Sequence, residues 1–332
     1  MTPKGSRLHR MFSARGLAAM LTLAAPAALH AQPYPAKPIH MVVAYPPGAS
    51  TDVLARLVSQ QLGERLNTAV VVENRVGASG IVGTEVAARA PADGYNLLFA
   101  QQDTHTLLPI LKRKLPYDAE KDFVPLAKVG DVYLLIVANA KVPARSVKEL
   151  LELARSKPGG LRFSSAGNGG INHLVLELFK QRTGMELTHI PYNGGAPATL
   201  AVISGEVELF GGSRTLLAKA VDAGQIRGVG MAQATRSAFL PNLPTMAEIG
   251  IPDFVVSAWF GVFAPAGLPE GIANRLSETL VSIGSSDDYQ KRLIAAGGEG
   301  QPLGRDAFGK FLKAESGRWR IVIEKAGIKI ED

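Results

Sequence analysis

The stretch Tyr45-Pro46-Pro47-Gly48-Ala49-Ser50-Thr51-Asp52 (YPPGASTD) stands between an apolar run, IHMVVA at 39–44, and a segment of helical periodicity, VLARLVSQQLGERL at 53–66. A short apolar run bounded by turn residues marks a buried strand. In the following segment Val53, Leu54, Leu57, Val58, Leu62 and Leu66 recur at three- and four-residue spacing, which makes one apolar helix face. The chain therefore leaves a strand, turns over prolines, a glycine and small hydroxyl residues, and enters a helix. That unit decides the fold class: an α/β chain whose helices start directly after strand ends.

Outward from this point the same alternation runs along the chain. Apolar runs predict strands at 38–45, 69–74, 95–100, 131–138, 161–164, 206–210, 226–231 and 254–264. Helical spacing predicts helices at 52–66, 79–90, 146–156, 171–183, 195–204, 214–223, 269–283 and 305–326. The strand, glycine loop and helix pattern returns at 71–83 (VVENRVGASGIVG) and at 161–178 (LRFSSAGNGGINHLVLEL). The first and the last of the three lie about 115 residues apart, a spacing that suits two lobes each presenting a helix N-terminus.

The first amides of a helix lack carbonyl partners, and the aligned peptide dipoles leave partial positive charge there. Glycine permits close approach, and hydroxyls add donors, so such a loop binds an anion without lysine or arginine. In the first loop the amides of Ala49, Ser50 and Thr51 and the hydroxyls of Ser50 and Thr51 can converge on a carboxylate. In the second the matching set is Ser164, Ser165, Gly167, Asn168 and Gly169. Turn chemistry accounts for either loop taken singly, and Thr51 or Asp52 suits a helix cap. Two matched loops, one per lobe, point instead to a shared ligand.

Other chemistries lose their motifs. There is no GxxxxGK[ST] nucleotide loop, and GNGGIN lacks the last glycine of the dinucleotide fingerprint. The chain has no cysteine, hence no thiol nucleophile, and no GxSxG elbow. His173 and Glu177 lie four apart on a helix without HExxH or a third ligand, so His173 reads as a buried or capping residue. His189, in the apolar run LTHIPY, reads as structural. Asp103 with His105 is the one candidate general-base pair, and it carries the alternative of a periplasmic hydrolase. Tyr45 and Tyr192 stand at the ends of strand segments, where open α/β sheets bind ligands, whereas Trp259 and Phe260 read as core.

The net charge of +7 has a local origin. Residues 1–31 carry Lys4, Arg7, Arg10 and Arg15, no acid, and the apolar run GLAAMLTLAAPAAL, which together read as an export signal, with cleavage expected after Ala31 and Ala27 as the alternative. Without it 32 basic residues face 29 acidic ones, and no basic run with interleaved aromatics argues for nucleic acid. With no later apolar run of spanning length, the expectation is a periplasmic protein without stable membrane insertion once the signal is removed.

The blocks YPAKPI (34–39), PPGASTD (46–52), VVENRVGASG (71–80), PADGYNLL (91–98), LPYD (115–118), SSAGNGGINHL (164–174), HIPYNGGAPA (189–198), LPTMAEIG (243–250) and WFGVFAPAGLP (259–269) occur in this order. With them the chain resembles the periplasmic solute-binding receptors of tripartite tricarboxylate transporters, the Bug receptors. The resemblance implies a two-lobed periplasmic-binding-protein clamshell of type II, with mainly parallel sheets and hinge crossings near 131 and 255. Lobe 1 would comprise 32–131 and 255–332, and lobe 2 residues 132–254. It implies a small mono- or dicarboxylate held by the 46–52 and 164–170 loops without a cationic side chain, a metal or a cofactor. It also implies delivery to membrane transporter subunits, and no catalysis. The pocket would be lined by Tyr45, Gly48, Ala49, Ser50, Thr51, Asp52, Asp103, Thr104, Ser164, Ser165, Gly167, Asn168, Gly169, Tyr192 and Ser213. Three departures bear on the ligand. Ala49 replaces a second glycine, Gln101-Gln102-Asp103 stands where smaller residues are frequent, and Gly211-Gly212-Ser213-Arg214 follows EVELF where polar residues are common. The last two segments point to a different or bulkier acid. A receptor that signals through a membrane sensor is a further alternative.

Overall fold

Residues 34–112, 114–237 and 239–329 are described by the computed structural model. The export signal expected at 1–31 lies outside them. Among the described residues no helix is long and apolar enough to cross a membrane.

The first wing is built as the opening stretch predicts. Strand β1 (Ile39–Val43) leads over the turn into α1 (Ser50–Leu66), then β2 (Val70–Asn74), α2 (Ile81–Ala88) and β3 (Asn96–Gln101). Strand β1 pairs in parallel with both β2 and β3. Leu54, Val58, Leu62 and Leu66 of α1 are buried against Ile39, Met41 and Val43, while Val53 at the first turn is exposed. A π-helical turn at Asp103–Leu107 runs into the short α3 (Leu108–Leu111).

The second wing repeats the design with α4 (Val147–Ser156), β5 (Leu161–Ser165), α5 (Ile171–Thr183), β6 (Leu187–Pro191), α6 (Gly195–Ser204), β7 (Leu209–Ser213), α7 (Arg214–Asp222) and β8 (Ile226–Met231). Strand β5 pairs in parallel with β6 and β7.

Between the wings runs β4 (Phe123–Asn139), far longer than the segment expected at 131–138. Its first part pairs antiparallel with β9 (Ser257–Pro265), down to Tyr133 opposite Ser257. From Leu134 onward it pairs antiparallel with β7. The sheets are thus parallel within each wing and antiparallel at the centre, because β4 leaves the first wing as β9 returns to it. Pro125 and Lys128, which interrupt the apolar pattern, sit where the β4–β9 register shifts. After β9 the chain adds α8 (Glu270–Gly284), α9 (Asp287–Ala295), β10 (Leu303–Gly304) and α10 (Arg305–Ala326).

Helix α10 serves both wings. Phe308, Phe311 and Leu312 pack with Trp259 and Phe263, whereas Trp319, Val322 and Ile323 join the core of Phe163, Phe179 and Phe254. The Gln181 side-chain amide donates to the Val322 carbonyl at 2.9 Å.

The register shows where the strand ends point. Gln101, the last residue of β3, pairs with Phe260, and Phe260 pairs with Gly130 of β4. Ser213, the last residue of β7, pairs with Leu134 of β4. Strands β3 and β7 therefore approach the middle of β4 from opposite directions. The end of β7 lies beside β4 and that of β3 is one strand away across β9, and they line up with β4 residues four apart, about 13 Å along the strand.

Candidate functional site: the junction of the two wings

Strand C-terminal ends are where open α/β sheets bind ligands. Here the loops after β1, β3, β5 and β7 all gather at the junction.

In the first loop Gly48 takes a left-handed φ of +81°, and the Ala49 amide closes a turn onto the Pro46 carbonyl at 3.2 Å. Asp52 turns inward as its brace. Its carboxylate accepts from the Gly48 amide at 2.9 Å, Arg56 Nε at 3.0 Å and Asn74 Nδ2 at 2.9 Å. Burial alone would raise this carboxyl, but the hydrogen bonds from Arg56, Gly48 and Asn74 outweigh it and hold the group below its ordinary value. Gly48, Asp52 and Ala49 thereby shape the loop, which leaves the Ser50 and Thr51 amides at the α1 terminus as open donors. The exposed Ser50 hydroxyl stands beside them.

The Thr51 hydroxyl, expected to face a ligand, donates to Gln101 Oε1 at 2.8 Å. Gln101 Nε2 in turn donates to Asp103 Oδ2 at 2.9 Å. Burial pushes the Asp103 carboxyl up to about 6 against the opposing hydrogen bond from Gln101. The Tyr45 hydroxyl is buried without a hydrogen bond, and burial followed by the nearby Asp103 charge raises it well above its ordinary value. Thr104 is internal: its hydroxyl donates to the Gln101 carbonyl at 3.2 Å and lies 3.0 Å from His105 Nδ1. With that proton committed, His105 Nδ1–H is the donor between them. The His105 ring stacks on Phe263 at 4.1 Å, and burial lowers its pKa to about 3. The histidine's hydrogen bond thus goes to Thr104 and Asp103's to Gln101, so the two form no dyad.

The second loop is held from beneath. Ser164 Oγ donates to the Ala198 carbonyl at 2.8 Å. Ser165 Oγ donates to the Gly167 carbonyl at 2.9 Å, accepts the Gly167 amide at 3.1 Å and lies 2.6 Å from His189 Nε2. Since Ser165 has one proton to give, His189 Nε2–H donates to it. His189 stacks on His173 at 3.7 Å and on Phe163 at 4.9 Å. Burial and then the neighbouring His173 lower its pKa to about 4. His173 Nδ1 accepts the Gly169 amide at 3.1 Å, the capping role expected for it. Gly167 and Gly169 adopt φ of +138° and +74°, where a side chain would be strained. Asn168 is exposed at the loop tip.

The remaining expected residues divide. Tyr192 gives its amide to the Ser165 carbonyl at 3.0 Å, but its ring packs with the core of Ala198, Val202 and Leu217 rather than walling a pocket. Ser213 precedes α7, its hydroxyl 3.0 Å from that of Thr215. Beside it the Arg214 guanidinium stacks on Phe239 at 4.0 Å and reaches the Ile294 carbonyl at 3.5 Å, a cation in one of the two segments that depart from the family's pattern. Gln101 stands in the other and His189 reads as structural; their hydrogen bonds to the glycine-loop residues are visible only after folding.

Polar bonds also knit the crossing itself. Lys128 pairs with Asp131 in a buried ion pair, and Ser257 Oγ donates to Asp131 Oδ1 at 2.8 Å. Glu299 exchanges main-chain bonds of 2.8 Å with Asp131 and accepts from Ser237 Oγ at 2.7 Å and Gln233 Nε2 at 2.9 Å.

A cavity of about 620 Å³ lies elsewhere, lined by His105, Tyr117, Asp118, Glu120, Ser316 and Arg320. Its lining mixes the carboxylates of Asp118, Glu120 and Asp122 with the cations of Lys112 and Arg320.

Two α/β wings sharing a crossing strand, with helix starts from both wings gathered at the crossing, define a two-lobed solute-binding receptor. Residues 54–328 match the tripartite tricarboxylate transporter family receptor, and the chain belongs to that family of periplasmic receptors, which are not enzymes. It is 35% identical to the protein BugT of Bordetella pertussis over 310 residues, covering 93% of this chain and 94% of that one. Among solved structures it is similar to Rpa4515 of R. palustris with adipate, at 33% identity and a TM-score of 0.75, covering 89% of this chain and 99% of that one. It is also similar to MatC of Rhodopseudomonas palustris with bound malate, at 27% identity and a TM-score of 0.69, covering 87% of this chain and all of that one.

Proposed function

We propose that this protein captures a small carboxylate at the lobe junction and delivers it to the membrane subunits of a tripartite tricarboxylate-type transporter. The observation that carries the reading is the register of β4. It brings the strand ends of both wings, and with them the amide-bearing starts of α1 and α5, to one place. Main-chain amides of the 46–52 and 164–170 loops are the donors. The Thr51 and Ser165 hydroxyls hold the loops in shape for them. The adipate and malate carried by two similar proteins support an acid as the ligand.

In this reading lobe 1 comprises 32–131 and 255–332 and lobe 2 residues 132–254, with crossings near 131 and 255. The change of partner along β4, from β9 up to Tyr133 to β7 from Leu134, and the packing of α10 on both wings support it. Ligand contacts to both lobes bias the hinge towards the closed state.

Thermal melts against a panel of mono- and dicarboxylates, keto acids and amino acids test this. A ligand at a hundred times its dissociation constant stabilises the fold by about 2.7 kcal/mol. A panel that moves no melt refutes the proposal.

A further inference from the structure

We infer that the ligand is an amino-carboxylate, an acid carrying a cationic ammonium group, and that Asp103 is the residue that selects it. The inference rests on the carboxylate-receptor reading and adds the chemistry of the ligand's other end.

Asp103 opens the π-helical turn directly after β3, whose last residue stands opposite Phe260 at the middle of the crossing. Its position relative to the anion end is fixed by a two-bond relay. The Asp103 carboxylate can only accept, so it takes the Gln101 NH₂ and leaves Gln101 Oε1 to accept the Thr51 hydroxyl. Thr51 lies in the first turn of α1, beside the open amides. The two hydrogen bonds and the amide between them place the Asp103 carboxylate within about 8 Å of the Thr51 hydroxyl. A small molecule bound at the amides has its far end in reach of it.

The carboxylate is half-buried, and the only hydrogen bond it receives among the described residues is from a neutral amide. Among the described residues no lysine, arginine or histidine pairs with it. Arg56 is committed to Asp52, His105 turns to Thr104, and Arg214 lies on Phe239 and reaches Ile294. The neighbouring Tyr45 hydroxyl is buried and unpartnered. One end of the site thus offers N–H donors and partial positive charge, and the other a bare carboxylate. A second carboxylate on the ligand would meet like charge there, whereas an ammonium would supply the missing counter-ion. Apolar acids would leave Asp103 uncompensated in a closed cleft.

Calorimetric titration at about pH 7.5 tests this with matched pairs that differ in the amino group: glutamate with glutarate, and 4-aminobutyrate with butyrate. In the wild type the amino-bearing member of at least one pair should bind about tenfold or more tightly than its partner. Asp103→Asn should erase that preference, and Asp103→Ser, which also removes the bulk, should erase it too. Equal or tighter binding of the amino-free acids, unchanged in both variants, overturns the assignment of Asp103 while leaving the carboxylate receptor standing. A panel in which neither member of any pair binds overturns both.

Discussion

The Ser165 hydroxyl sits 2.6 Å from Nε2 of His189, which lies on the neighbouring strand β6. The second glycine loop is therefore propped by an imidazole that burial keeps neutral, stacked on Phe163 and His173. The pKa of His189 is about 4 in the fold against an ordinary 6.5. The stability this group contributes is complete above pH 6.5 and is lost as pH falls through about 4, because the unfolded chain takes up the proton first. Melting temperatures across this window should decline towards acid, and His189→Gln, which keeps an N–H donor, should flatten part of the slope. An identical slope in the variant would remove His189 from the account.

Asp103 has the opposite sign. Its folded pKa, raised to about 6 from 3.8, means a contribution present below 3.8 and lost as pH rises through 6. The unliganded Asp103→Asn variant should thus melt higher than wild type at neutral pH and alike near pH 3.8. Differential scanning calorimetry at the two pH values checks this, and a variant less stable at neutral pH contradicts it.

The ion pair of Lys128 with Asp131 is buried at the crossing, with exposures of 6% and 2%. Lys128→Met leaves Asp131 uncompensated and should cost about 3–5 kcal/mol, with much of the loss recovered in the Lys128→Met/Asp131→Asn double variant. Urea denaturation in a double-mutant cycle reads this. Additive losses would mean that the two charges do not act as a pair.

Gly80 combines a φ of +94° with close quarters: an added Cβ would lie 2.7 Å from Thr104 Cγ2 and 3.1 Å from the Tyr45 hydroxyl. Gly250 has nearly the same φ, +91°, with nothing within 4 Å. Both alanine variants should lose roughly 1–2 kcal/mol of stability to the left-handed backbone. Only Gly80→Ala should also weaken ligand binding, by displacing Tyr45 and the Asp103 turn. Equal binding in both variants would place the site away from Tyr45.

Much of this architecture is legible along the chain. The alternation of strands and helices, the buried stripe of α1 and the two glycine loops depend on periods of two and 3.6 residues and on local turn chemistry, which act within a short window. The capacity to bind an anion follows from them too, since open amides at a helix start are a property of the helix end itself, whereas the receptor class rested on the family resemblance.

Other features are pairings between residues distant in sequence, and no window contains them. Strand β4 continues through Pro125 and Lys128 because the register shifts there and Lys128 finds Asp131 in the fold. The hydroxyls of Thr51 and Ser165 are taken up within the fold by Gln101, Gly167 and His189. Tyr192, at a strand end like Tyr45, turned to the core instead. The convergence of the two loops is likewise a matter of strand direction, decided only when β3 and β7 line up on β4 from opposite sides. Residue type and spacing specify what a segment can offer, but a hydrogen bond or buried charge takes its partner from whichever residues the packed core brings within 3 Å.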